Sequence, residues 1–389
     1  MKQGKVIMTL SNPFKVDPRV YKEALTLVNN GYEVVVLAWD REGKHEPYEE
    51  IDGIKVRRIR VKSKYGSILS FMLALPLFYL KAFSHLVMED FDVIHTHDFD
   101  TAVLGALMKF LKRKRWVFDI HDIYFTRISL LKERPSRSII QRILMFLEIS
   151  LAKYADVVIT VTRSLGGPHE GFKEFYVKRG VSPDRIKIIW NTPKASMFLN
   201  YPRFELKKPI KFTIGYIGSI RTISNFLPLF EVARRRGYKV LLVGGGKSKD
   251  KLEKIVREKF SDVDIEFVGP VPYNLIPNYY LLCDVIYSYF PPTENVRRTI
   301  TVKVFESAFL GVPVIVNGNS LMEDFVKIYR CGSPLKEASV EEIDEAIFRI
   351  RNLRFSPKII RKKWTWEEQE SFILVLYSTL PGEKDGHRL

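Results

Sequence analysis

Short apolar runs alternate along the chain with stretches whose apolar residues recur every three or four positions, beginning at the first residues. Runs at 6–10, 34–38, 56–61, 93–96, 116–120, 157–161 and 186–189 predict strands, and between them 18–30, closed by Gly31, and 138–154 predict helices. The grammar restarts after a stretch at 193–208 in which Pro, Asn and charged residues replace regular periodicity. Further strands are predicted at 212–217, 240–243, 265–268, 285–289 and 314–316, with helices at 225–236, 249–260, 275–282 and 301–310. Strands alternating with helices make stacked βαβ units, so the fold class is α/β with two doubly wound domains, at 1–195 and 209–360. Open parallel sheets bind ligands beyond the carboxyl ends of their strands, so two such domains are expected to face a ligand cleft. The tail at 361–389 contains an amphipathic helix, 364–380, with Thr365 as cap and acidic residues in its first turn; it is expected to pack back across the domains.

At 389 residues the chain exceeds one ordinary core. Its 46% hydrophobic and 28% charged residues describe a globular protein, and the net charge of +17 predicts an anionic partner without saying which. Cys283 and Cys331 are far apart and follow no metal-ligand spacing, so neither a disulfide scaffold nor a zinc site is expected. The amino terminus lacks the apolar stretch and cleavage site of an export signal, and a cytoplasmic setting is expected. The uncharged stretch "YGSILSFMLALPLFYL" between Lys64 and Lys81 is short for a membrane span and contains Pro76. It reads as a buried packing helix, with a membrane-facing helix flanked by lysines as the alternative.

Two stretches carry candidate chemistry. In "RWVFDIHDIYF", 115–125, apolar residues run up to an Asp-Ile-His-Asp cluster, as when a buried strand ends at a ligand crevice. In "PPTENVRRTITVKVFESAFLGVPVIV", 291–316, Arg297 and Arg298 precede a helix whose first turn holds Lys303. Cations are unfavourable at the positive end of a helix dipole unless an anion such as a phosphate shares the space. Glu306, one turn later, is placed to accept hydrogen bonds from the vicinal hydroxyls of a ribose; the alternative is a solvated cluster with a Lys303–Glu306 helical ion pair.

The second stretch resembles the nucleotide-sugar-dependent retaining glycosyltransferases of family 4, which have the GT-B fold of two Rossmann-like domains. "ITVKVFESAFLGVPVIV" is similar to their "PNKLFEYMAAGKPVI"-like segment. "DPRVYKEALTLVNNGYEVVVL", "IHTHDFDTAVLGALMKF", "ADVVITVT", "GYIGSIR" and "FVGPVPYNLIPNYYLLCDVIYS" follow the family in the expected order over nearly the whole chain.

The resemblance assigns roles residue by residue. "FDIHDIY" matches an Asp-x-His-Glu segment, which implies that His121 is catalytic by contacting a donor-sugar hydroxyl and helping to orient the reacting carbon, and that it need not be the base; Asp122 stands in the glutamate's place. His97 and Asp98 of "IHTHDFD" are expected to bind acceptor, while His95 points into the core by strand alternation. Asp17 and Arg19 match an Asp-x-Arg-Val subgroup and are expected at the acceptor or an anion, the alternative being a helix cap and an exposed arginine. Ser219 occupies the position of the family's phosphate-gripping arginine and the usual lysine is missing. Arg298 stands where the first of two glutamates would be, and Glu306 fits the second. Arg221, Lys303 and Arg298 are therefore expected to share the phosphate-binding charge, with Gly244 and Gly245 flanking the nucleotide and "GPVPYNLIPNYY" lying against its base.

The implied function is retaining sugar transfer from a nucleotide diphosphate sugar to a glycan, lipid-linked or small-molecule acceptor. No metal and no cofactor beyond that co-substrate is expected, nor is nucleic acid, and a peripheral contact with the inner membrane face is. The departures at Ser219 and Arg298 keep open a noncatalytic scaffold or a nucleotide-sugar epimerase on the same fold.

Overall fold

The computed structural model describes residues 3–15, 17–126, 135–203 and 207–380. The chain divides into two compact units: Met1–Val161 with Phe172–Trp190 and Gln369–Leu389, and Thr162–Gly171 with Asn191–Glu368.

The first unit is built on eight strands, β1 (Gly4–Leu10), β2 (Tyr32–Asp40), β3 (Tyr48–Ile51), β4 (Ile54–Arg60), β5 (Val93–His97), β6 (Arg115–Ile120), β7 (Val157–Thr160) and β8 (Ile186–Ile188). Their order is β3-β4-β2-β1-β5-β6-β7-β8. All pairs are parallel except β3–β4. Helix α1 (Pro18–Asn29) follows β1, and the Asp17 carboxylate caps it by accepting from Val20 N. Strand β3 was not expected from the pattern, because its residues are largely exposed and polar. The signal was Asp52-Gly53, where φ of 48° and 81° turns the chain back into β4.

The apolar stretch becomes helix α2 (Ile68–Met88), which is longer and far more exposed than a buried packing helix. The stripe Ala74, Phe78, Ala82 and Leu86 is buried in the core, one residue per turn, with Phe71, Leu75, Tyr79 and Phe83 half-buried against it, and Phe78 stacks on Trp39 with ring centroids 4.6 Å apart. Helix α3 (Phe99–Lys112) packs between α2 and α4 (Pro135–Tyr154). By length and composition α2 could cross a membrane.

The second unit carries β9 (Thr213–Ile217), β10 (Lys239–Val243), β11 (Ile265–Gly269), β12 (Val285–Ser288), β13 (Val314–Asn317) and β14 (Gly332–Leu335), parallel throughout and ordered β11-β10-β9-β12-β13-β14. Edge strand β14 escaped the sequence pattern because it is four residues long and contains Pro334. The loop Thr162–Gly171 joins this unit although it follows β7: His169 Nδ1 lies 2.8 Å from Asp324 Oδ1, and the His169 amide donates to the other carboxylate oxygen.

The tail helix spans Trp366–Thr379 and from Gln369 onward belongs to the first unit, where the Tyr377 ring meets Tyr32 edge-on at 5.6 Å. Both cysteines are buried and free, and burial pushes each thiol up to about 12, so neither is a nucleophile at neutral pH.

Candidate active site

In the first unit the candidate residues converge on an aspartate that the sequence reading passed over. Asp119 sits in β6, fully buried, two residues before His121 and on the same side of the strand. Arg19 grips it from the first turn of α1: Nη2 lies 3.0 Å from Oδ1 and 3.2 Å from Oδ2, and Nε 3.3 Å from Oδ2. A fourth guanidinium hydrogen bond, from Nη1, reaches Ile189 O at 2.8 Å. Arg19 is thus neither the exposed arginine nor the free anion-binding group that the sequence allowed. Its donors are spent inside the unit, and it is tied to Glu23 one turn along at 3.0 Å.

His121 completes the arrangement, with Nε2 2.7 Å from Asp119 Oδ2 and 3.3 Å from His97 Nδ1. Its amide donates to Asp98 Oδ1 at 3.0 Å. The Asp122 amide donates to the same oxygen at 3.3 Å. Asp98 adopts φ 61° at the start of α3, a backbone conformation costly for a non-glycine residue, and there its carboxylate braces the turn after β6. Burial opposes charge on His121, but the Asp119 and then the Asp98 carboxylates overcome it and raise its pKa to about 10. An imidazolium of that pKa is a hydrogen-bond donor at neutral pH and cannot serve as a general base.

Burial lowers His95 and His97, which are neutral. Asp119 is held well below the usual carboxylate range: Arg19 and His121 outweigh the effect of burial. Burial instead pushes Glu23 up to about 8, against the pull of Arg19. His97, expected at the acceptor, is 2% exposed and serves as a wall behind His121. His95 is in the core as expected, accepting or donating at 2.8 Å with the Tyr377 hydroxyl. Asp17 is a helix cap, further held by Asn12 Nδ2 at 3.0 Å.

Glu23, His95, His97 and Asp119 bring ligand-type atoms within 4.8 Å of one another. These donor types suit a divalent metal. Arg19, however, already places a permanent positive charge 3.0 Å from both carboxylates. A metal there would face a guanidinium at close range in a low-dielectric interior, so the residues fit an ion-pair network and not a metal centre.

The second unit holds the other candidates. The helix Val302–Leu310 begins after Thr301 and ends at Gly311 with φ 84°. Lys303 in its first turn is only 9% exposed, its ammonium 4.1 Å from the Tyr216 ring centroid and 5.0 Å from that of Phe290. Gly218, at the end of β9, leaves the room: a Cβ there would stand 2.8 Å from Lys303 Nζ. Among the described residues no carboxylate lies within ion-pairing distance of Lys303. Burial lowers its pKa to about 7, with Glu306 opposing and Arg221 adding to the fall.

The alternative helical ion pair does not form, because Glu306 turns to two tyrosines. Its oxygens accept from Tyr273 OH at 2.5 Å and Tyr280 OH at 2.7 Å. The segment expected against the base therefore first orients this carboxylate.

Arg298 is drawn away, with Nη1 2.6 Å from Glu294 and Nη2 3.8 Å from Glu170. Arg221 and Ser219 are exposed and adjacent, Nε to Oγ 3.4 Å. Gly244 has φ 132°, and a Cβ there would meet Gly218 O at 2.2 Å. With Gly218 N donating to Val243 O at 2.8 Å and Ile220 N to Gly245 O at 2.7 Å, these glycines zip the loops after β9 and β10 together beside Lys303.

A family model described as Glycosyltransferase Family 4 matches residues 19–192, and one described as Glycosyl transferases group 1 matches 198–365. An uncharacterized glycosyltransferase of Methanocaldococcus jannaschii is 25% identical over 318 residues, 77% of this chain and 76% of that protein. Among solved structures, sucrose-phosphate synthase from Thermosynechococcus elongatus superposes with a TM-score of 0.76 at 18% identity, covering 97% of this chain and 99% of that one. Anabaena HepE in complex with UDP gives 0.67 at 14%, covering 97% and 100%.

Proposed function

Because the chain belongs to glycosyltransferase family 4 and has the GT-B fold, we propose that it moves a sugar from a nucleotide diphosphate sugar to a glycan, lipid-linked or small-molecule acceptor, with retention and without a metal. The observation that carries this reading is Lys303, a cation buried against aromatic rings with no ion-pairing carboxylate among the described residues. A bound diphosphate supplies the missing counter-charge, restores the lysine to its protonated form and is stabilised as leaving group by the same contact. Arg221 adds charge at the exposed rim, and Glu306, aimed by its two tyrosines, accepts the ribose hydroxyls.

In the first unit His121 donates from its imidazolium to a donor-sugar hydroxyl and orients the reacting carbon. Since it carries its proton already, the acceptor's proton passes to a donor phosphate oxygen. Arg19, Asp98 and Asp119 are positioning residues in this scheme, and Asp122 stands nearest the acceptor. The protein works at the cytoplasmic face of a membrane, in peripheral contact with it.

Calorimetry with UDP, GDP and ADP in the absence of metal tests the donor site. One nucleotide should bind, with affinity lost in Glu306→Ala and reduced in Glu306→Gln, which retains an acceptor for one tyrosine. The UDP in the HepE structure makes UDP the first to try. If none of the three binds the folded wild type, the donor site is wrong and a noncatalytic role takes its place.

A further inference from the structure

We propose that the outer face of α2, α3 and α4 docks flat on an anionic lipid bilayer. The three helices lie side by side, and each turns large apolar residues to solvent: Leu73, Leu77 and Leu80 on α2, Phe110 on α3, Ile143 and Phe146 on α4. Leu73 and Phe110 are each 73% exposed and Phe146 70%, on helices that pack against one another in the order α2, α3, α4.

Charge complementarity selects the occupant. Helix α2 contains no carboxylate, and the only two on α3 and α4, Asp100 and Glu148, are buried. Among the described residues the exposed charges on the three helices are cations, among them Lys81 and Arg142, with Lys62 and Lys64 just before α2; the exposed carboxylates Glu42 and Asp90 stand only near the two ends of α2. An apolar face whose own exposed charges are cationic suits the headgroup and acyl boundary of an anionic leaflet. A second copy of the same face would oppose cation to cation.

A cavity of about 630 Å³ beside α2 is lined by Arg60, Lys62, Ser67 and Ser70 together with Leu69, Leu73 and Leu77. Cations and hydroxyls lining the same cavity as leucines match a lipid phosphate with its acyl chain. Tyr65, 50% exposed at the start of α2, stands at the level of the interface.

The helix lies on the membrane and does not cross it. Ala74, Phe78, Ala82 and Leu86 are core residues, and a spanning α2 would strip Phe78 from Trp39.

This inference specifies the membrane contact of the proposed function and is independent of its chemistry, so nucleotide binding serves as the separate control. Full-length protein is sedimented with vesicles of pure phosphatidylcholine or with added phosphatidylglycerol. Wild type should pellet with the anionic vesicles and be released by salt. Leu73→Glu/Leu77→Glu should abolish pelleting, and Lys62→Glu should weaken it by about tenfold, while both retain wild-type nucleotide affinity. Phe348→Glu, which removes an exposed apolar residue of the second unit, should change nothing. Absence of pelleting by wild type, or pelleting indifferent to the double variant, overturns the proposal. So does a lipid-free dimer in sedimentation velocity that the double variant dissolves, which would make the face an interface between copies.

Discussion

Both units bury charge, by opposite means. Around Asp119 the charges are paired: Arg19 grips Asp119, and His121 is protonated because the Asp119 and Asp98 carboxylates face it. Around Lys303 the protein supplies aromatic faces in place of a carboxylate and turns the nearby Glu306 onto two tyrosines. A compensated cluster fixes geometry, whereas an uncompensated one stores an affinity for an ion. The first is built to hold a histidine in one orientation and the second to receive an anion.

The sharpest separation is by deletion. Asp119→Asn leaves the Arg19 and His121 charges buried together and should destabilise by about 3–5 kcal/mol in urea unfolding at neutral pH. In the same variant the His121 imidazole should titrate far below its value of about 10, read by NMR. Lys303→Met should leave stability unchanged or raise it, since it removes an unpaired buried cation, yet weaken nucleotide binding by about 100-fold. If both variants destabilise alike, the contrast between the clusters is false.

The two clusters also predict opposite pH slopes. His121 has a folded pKa raised above its ordinary 6.5, so its stabilisation is complete below 6.5 and is lost as pH rises to about 10. Lys303 has a folded pKa depressed from 10.5 to about 7, so its destabilisation is complete below 7 and is relieved as pH rises to 10.5. Asp119→Asn should erase the first slope and Lys303→Met the second. For the same reason, diphosphate binding at pH 8 should take up close to one proton, seen as a dependence of calorimetric heat on buffer ionisation enthalpy, and Lys303→Met should bind without it. Tyr377→Phe is the smallest test: loss of the hydroxyl from His95 should cost about 1 kcal/mol and leave nucleotide binding untouched.

Sequence periodicity was enough for most of the strands, because a strand buried on both faces must be a continuous apolar run. It failed at β3 and β14, where exposure and Pro334 removed that run. The pair Asp119 and His121 was within reach: two residues apart across the end of β6, they point to one side. Their partners were not, since Arg19 lies 100 residues from Asp119 and Tyr377 lies 282 from His95.

By itself the sequence determined the α/β alternation and the family, both of which follow from local pattern and ordered motifs. Only the tertiary structure decided which charges are spent and which are left to act. Arg19 and Lys303 look alike in the chain, each a cation in the first turn of a helix. Long-range packing brought a buried carboxylate to one and aromatic rings to the other, and in an interior that screens charge poorly that difference sets protonation, stability and affinity.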